Sequence, residues 1–131
     1  MSSLEERIAA HLARAEENLR SADLSLEAKL PNAAASRFYY AAYHAAIALI
    51  LKQYSGGRVD KDWDHRVVGK WFASAAHGTE WPRALPEFLA LRHRADYIPF
   101  RTERPASLKE ARALGRRAHR LYDWVVGKIR S

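Results

Sequence analysis

The stretch Ala33–Gln53, AAASRFYYAAYHAAIALILKQ, decides the fold. It follows Pro31, stops before Ser55-Gly56-Gly57, and is small, aromatic or aliphatic on nearly every side. A helix that is apolar almost all round belongs inside a protein, wrapped by other helices. Its run of about 21 residues approaches bilayer-spanning length. However, Arg37 alone would cost roughly 3 kcal/mol or more near a bilayer centre, and His44 is a second polar group in the same run. The stretch therefore reads as the central helix of a helical bundle, not as a membrane span. Three of its features can carry function: Arg37, the Tyr39-Tyr40-Tyr43 cluster and His44.

The flanking sequence supplies amphipathic partners. Ser3 and Glu6 have capping-box spacing, and Leu4, Ile8, Leu12, Ala15, Leu19, Ala22 and Leu26 recur three or four residues apart. This predicts a first helix from about Leu4 to Ala28. Leu30-Pro31-Asn32 turns the chain into the central helix, which should end near Tyr54. The polar linker Ser55 to Lys61 holds Gly56-Gly57, suited to a helix C-terminus. A third helix starts at Asp62 or Asp64, either able to cap, and runs to about Ala76, with Val67, Val68, Trp71, Phe72 and Ala75 buried and Gly78 ending it. Trp81 anchors the next turn. Pro82 and Pro86 sit where a first helical turn tolerates proline, and a fourth helix spans about Pro86 to Tyr97, with Phe88, Leu89, Leu91 and Ala95 inward. Ile98 to Ala106 is a loop. Ser107 and Glu110 repeat the capping box, and Ala111, Leu114, Ala118, Leu121, Val125 and Ile129 mark a fifth helix. With no β-alternation, internal repeat or domain boundary, residues 1–131 read as one all-α domain, an antiparallel bundle of about five helices.

Composition narrows the chemistry. There is no cysteine, which excludes disulfides, thiolate metal sites and cysteine nucleophiles. The N-terminal MSSLEERIAA lacks the basic-then-apolar pattern of a secretory signal, so the expected location is the cytoplasm. Lys and Arg number 22 against 15 Asp and Glu, a net charge of +7, which favours polyanionic partners or simply a solvated basic surface. The first helix is rich in acids, whereas Lys109, Arg112, Arg116, Arg117, Arg120, Lys128 and Arg130 concentrate the basic charge at the C-terminal end, as a nucleic-acid contact requires.

None of the histidines at 11, 44, 65, 77, 93 and 119 has a recognised ligand spacing, so no metal site is expected. Arg37 and His44 lie seven apart, two helical turns, and share a face. They form either a phosphate clamp with a general base, or an arginine satisfied by Asp96 or Glu17 and a histidine hydrogen-bonded within the bundle. His65 can cap, pack or face a cleft. Arg92, Arg94, Asp96 and Tyr97 are the densest polar cluster near a helix end. An arginine there can bind phosphate oxygens bidentately or pair with Asp96 four residues on.

Three segments together resemble the HEPN domain family. They are Ala35-Ser36-Arg37-Phe38-Tyr39-Tyr40-Ala41-Ala42-Tyr43-His44-Ala45-Ala46, His65-Arg66-Val67-Val68 followed by Phe72, and Leu91-Arg92-His93-Arg94-Ala95-Asp96-Tyr97. The chain looks most like small stand-alone HEPN proteins whose penultimate helix ends in Arg-x-x-Ala-Asp-Tyr. The resemblance implies a helical homodimer, often accompanying a nucleotidyltransferase as toxin and antitoxin, with many members being metal-independent ribonucleases. Those ribonucleases carry Arg-x4–6-His near the end of the penultimate helix. Arg92 matches the arginine, but Tyr97, Ile98 and Pro99 stand where the histidine belongs, removing the expected proton-transfer group.

The resemblance thus implies a divergent or non-catalytic RNA- or nucleotide-linked module. Its binding residues are drawn from Arg37, His44, Arg92, Arg94, Asp96, Tyr97, Arg101 and Arg104, and it uses no cofactor. One alternative is an active metal-independent ribonuclease with Arg92 as catalytic residue and a displaced base such as His93 or His44. The other is a structural dimeric partner that binds no RNA. Some related toxins are silenced by adenylylation of a tyrosine, which makes Tyr97 a candidate for modification by a nucleotidyltransferase partner.

Overall fold

A computed structural model describes residues 3–54, 64–96 and 105–131, the side chains of residues 95 and 96 excepted. It contains α1 (Leu4–Glu27), α2 (Pro31–Gln53), α3 (His65–Ala75), α4 (Ala84–Asp96) and α5 (Leu108–Arg130). No strand occurs among the described residues, so the expected all-α bundle is the observed architecture. None of these helices is long and apolar enough to cross a membrane.

Both anticipated capping boxes form. Ser3 Oγ accepts from the Glu6 amide at 3.1 Å while the Glu6 carboxylate accepts from the Ser3 amide at 3.0 Å. Ser107 and Glu110 repeat the exchange at 3.0 Å in each direction. Each pair satisfies two amides that the helix itself cannot. The apolar stripe of α1 is buried through Ile8, Ala15, Leu19 and Ala22.

The end of α1 is tighter than the sequence implies. Lys29 takes a left-handed φ of 59°, the Lys29 amide donates to Leu26 O at 2.9 Å, and the Leu30 amide donates to Ser25 O at 2.8 Å. This is a Schellman closure, in which glycine is the favoured residue at the left-handed position. Lys29→Gly should therefore raise stability by roughly 0.5–1 kcal/mol; an unchanged urea midpoint would show that the lysine is not strained.

Proline supplies the next start. Pro31 is the first residue of α2, two positions earlier than expected; it lacks the N–H that would be unpartnered there anyway and has φ preset for a helix. Asn32 on the same turn accepts from the Ala106 amide at 3.1 Å, tying the entry of α2 to the entry of α5. From there α2 packs against all four other helices. All seven positions from Ala45 to Leu51 are buried, which only a surrounded helix permits. Small residues let the neighbours approach. At Gly115 of α5, an added Cβ would lie 2.7 Å from Phe38 Cζ, so α5 rests directly on the Phe38 ring.

The remaining helices are pinned by polar clasps over an apolar interior. Asp64 caps α3, accepting from the Val67 amide at 2.8 Å. Gly78, at φ 84°, turns the chain after α3. Trp81 is buried as expected, its amide held by Thr79 Oγ1 at 3.1 Å. Helix α4 begins at Ala84, not Pro86, and keeps that proline inside its first turn. Arg117 of α5 reaches Glu87 of α4 at 2.8 Å and lies 5.0 Å over the Phe88 ring. One expectation fails: Trp71 is not core but 36% exposed, set edge-on to Tyr54 at 4.8 Å. Val68 and Phe72 carry the buried face of α3 instead, since the short helix can turn only one narrow stripe toward α2. The linker glycines, Asp62 and the end of helix four at Tyr97 lie outside the described residues.

Candidate functional site

Three helices converge on one aromatic and cationic cluster. Tyr39 and Tyr40 lie four and three residues before Tyr43 on α2, so each shares a side of the helix with it. Their rings lie 5.4–6.2 Å apart. His65, the first residue of α3, sits among them, 5.3 Å from the Tyr39 and Tyr43 rings and 6.4 Å from Tyr40. Its Nδ1 is 2.5 Å from the Tyr39 hydroxyl. From α4, the Arg92 guanidinium carbon stands 4.9 Å over the Tyr40 ring and 5.9 Å over Tyr39, within cation–π range.

The electrostatics follow from this crowding. His65 is held below the usual imidazole pKa, first by burial and then by the positive charge of Arg92 and His93, with Asp64 opposing. It is therefore neutral at pH 7. Burial raises the Tyr39 phenol, with Tyr43 adding to the effect and Arg92 opposing it. Burial likewise raises Tyr43, with Asp64 and Tyr40 reinforcing it. The cluster is thus a fixed guanidinium beside a neutral imidazole and protonated phenols. It combines an anion-binding group, hydrogen-bond donors and a ring nitrogen able to exchange a proton. Which ring nitrogen is available depends on the tautomer: if the Tyr39 hydroxyl donates to Nδ1, Nε2 carries the proton, and if Nδ1–H donates, Nε2 keeps its lone pair.

The expected site residues are dispersed by the fold. Arg92 joins the tyrosine cluster. Arg37 and His44 do share a face, but it is the face packed on α1. His44 Nδ1 lies 3.1 Å from His11 Nδ1, with the two rings stacked at 5.3 Å. Arg37 is exposed and reaches Asn18 Oδ1 at 3.5 Å. It is therefore not a buried arginine, and its partner on α1 is Asn18, not Glu17. Arg94 turns to the opposite side of α4 and grips Glu110 through two bonds of 2.8 and 3.0 Å. Together with the Ser107 amide it holds the Glu110 carboxyl down to about 2. The Asp96 side chain, Tyr97, Arg101 and Arg104 lie outside the described residues.

His44 is partly buried, ring to ring with His11 of α1. Burial, then the neighbouring His11 and Arg14, lower its pKa to about 4, and His11 is lowered by burial, Arg14 and Arg7. The folded state thus disfavours protonating a seam that the unfolded chain protonates readily. Stability from this pair is fully present above the ordinary imidazole pKa of about 6.5 and is lost as pH falls toward 4. The melting temperature should drop by several degrees between pH 7 and pH 5, and the double substitution His11→Gln, His44→Gln should flatten that slope. An equally steep slope in the double variant would assign the acid sensitivity elsewhere.

Sequence reasoning singled out the tyrosines and considered a cleft-facing His65 but did not bring them to Arg92. The available signal was a histidine directly after a capping aspartate, which puts it at a helix start where a neighbouring helix can receive it. The basic face of α5 is partly neutralised: Arg120 reaches Glu80 at 2.5 Å and Arg117 is paired with Glu87, while Lys109, Arg112 and Arg116 are exposed. Among the described residues no three potential ligands gather to hold a metal ion.

No curated protein and no solved structure gives a significant match to the chain. The sequence model of the HEPN domain matches residues 8–129, from the first buried position of α1 to the last turn of α5. With the match covering all five helices, the chain belongs to the HEPN domain family.

Proposed function

We propose that this HEPN protein is a divergent, non-catalytic module that binds RNA or a nucleotide-bearing partner. In this reading it folds as one unit over residues 1–131, forms a homodimer in the cytoplasm, and works beside a nucleotidyltransferase in a toxin–antitoxin or defence setting. The observation that supports the reading best is Arg92 set over Tyr39 and Tyr40 beside a neutral His65. A guanidinium matches phosphate oxygens bidentately, and the partly exposed Tyr40 beneath it adds a hydroxyl donor at the same place. Tyr97, Arg101 and Arg104, which follow α4 in sequence, are further binding residues in this reading; the exposed Lys109, Arg112 and Arg116 add long-range attraction.

The direct test is fluorescence anisotropy with labelled single-stranded RNA over a range of salt. Binding that weakens steeply with salt is expected, because each phosphate contact releases counterions. Absent or salt-insensitive binding favours the structural-partner alternative. Co-expression with a candidate nucleotidyltransferase followed by intact mass spectrometry tests the link to Tyr97, and an unmodified mass counts against it.

One observation keeps a ribonuclease as the second reading. The fold brings His65 of α3 to Arg92 of α4, so a histidine stands beside this arginine even though positions 97–99 hold none. With its Nε2 unprotonated, His65 can take the 2′-hydroxyl proton while the 2′-oxygen forms a bond to phosphorus and the 5′-oxygen leaves with a proton from solvent. Cleavage in EDTA, lost on His65→Gln, supports this. No cleavage at any enzyme excess removes it.

A further inference from the structure

Next to the tyrosine cluster a groove of about 340 Å³ runs between α3 and α4. Gly69 and Ala73 form one wall, and Pro82, Leu85, Pro86 and Leu89 the other. Arg66 and Lys70, both exposed, stand at its rim, and the bonded Tyr39–His65 pair closes one end. Among the described residues no carboxylate lines it.

Gly69, like Gly127 of α5, is a helical glycine that no contact with a described residue explains, and Gly69 is the one that lines a groove. It lies inside α3, where glycine is the poorest residue after proline, and its φ is not left-handed. A Cβ built there meets nothing within 4 Å, in contrast to Gly115, whose missing side chain is required by Phe38. No packing contact with a described residue therefore demands the missing side chain at position 69. The space it leaves open belongs to the groove.

We infer that the α3–α4 groove is a binding site for a small apolar anion: a flat hydrophobic body against Gly69 and the proline–leucine wall, with one anionic group held by Arg66 and Lys70. Small-molecule sites are typically concave and largely apolar with a few convergent polar groups, and the volume of about 340 Å³ suits a ligand of two or three rings. The two cations, with no acid among the described lining residues, select negative charge. Among the described lining residues the only other polar side chains, Tyr39 and His65, are bonded to each other, so a sugar or other heavily hydroxylated ligand would bury groups it could not satisfy. An occupant touching His65 would also be felt at Arg92, one helix away. This site stands whether or not the cluster binds RNA.

The probe is 8-anilinonaphthalene-1-sulfonate, with the uncharged N-phenyl-1-naphthylamine as its comparison. Isothermal titration of the intact protein should show one sulfonate-probe site per chain, weakened about tenfold by Lys70→Glu or Arg66→Glu and abolished by Gly69→Leu, which fills the groove. The uncharged probe should bind more weakly. Gly69→Ala, which improves the helix and takes little of the space, should melt at a higher temperature than the wild type. If Gly69→Leu fails to fold, amide shifts in the wild-type protein decide the matter: perturbation centred on Gly69, Ala73 and Leu89 supports the site. Perturbation elsewhere, equal affinity for both probes, or no saturable binding overturns it.

Discussion

Replacing Phe38 with alanine is expected to cost about 3–5 kcal/mol of stability, the upper part of the large-to-small range, measured from urea unfolding. Phe38 is fully buried in α2, and its ring meets the bare backbone face of α5 at Gly115. Its edge is also turned toward His119 at 6.1 Å between centroids. The surroundings are poorly able to close the resulting void, because the facing position has no side chain to swing in. The capping box, the Arg94–Glu110 bridge and the Asn32–Ala106 bond all hold α5 in place. A loss below about 1 kcal/mol would mean that α5 collapses onto α2 after all. The converse substitution tests the same seam from the other side. Gly115→Ala gains about 1 kcal/mol of helix propensity but forces its Cβ into the Phe38 ring, an overpacking that costs about 1–3 kcal/mol. Combining Gly115→Ala with Phe38→Leu should recover part of that loss, so the double-mutant cycle should show a coupling well outside the additivity expected of distant sites.

The largest functional effect is expected at Arg92. If the cluster holds a phosphate, Arg92→Ala should lower RNA affinity by about 10–100-fold, the worth of a charge-assisted hydrogen-bonded contact, and should reduce the salt slope by about one contact. Arg92→Lys should fall between the two proteins, since lysine keeps the charge but not the planar fork or its stacking on Tyr40. Arg112→Ala, at an exposed position on α5, should weaken binding by much less. Circular dichroism on each variant separates loss of contact from loss of fold, because Arg92 also packs on the tyrosine rings. Unchanged affinity and salt slope in Arg92→Ala would move the nucleic-acid contact away from this cluster, with the α5 cations as the next place to look.

Much of the fold was legible from local chemistry. The two capping boxes needed only Ser3, Glu6, Ser107 and Glu110 at the right spacing, and the stripes of α1 and α5 needed only their periodicity. The Trp71 expectation failed because α3 is short and amphipathic patterning alone does not say how wide a stripe its neighbours can cover. Lys29 gave no sign of its left-handed backbone, since that conformation is imposed by the bonds closing the end of α1. The site was less legible than the fold. Arg92 was identifiable from its segment, and the tyrosines were identifiable as a cluster. Their partner histidine lies 26 residues from Tyr39 in the chain, and no local spacing rule reaches that far.

Residues Ala33–Gln53 determined by themselves that one helix must be enclosed, because an almost uniformly apolar surface has no stable place in water. That much follows from side-chain chemistry alone. Which polar groups would meet around that helix was decided only by packing. The α1 side received His44 and Arg37, and so His44 was set against His11 and Arg37 beside Asn18. The α3–α4 side received Tyr39, Tyr40 and Tyr43, and so His65 and Arg92 were brought to them. Every one of these residues was visible in the sequence. Their grouping depends on helix rotation and crossing, which are set by the volumes of side chains distant in sequence, Phe38 against Gly115 among them.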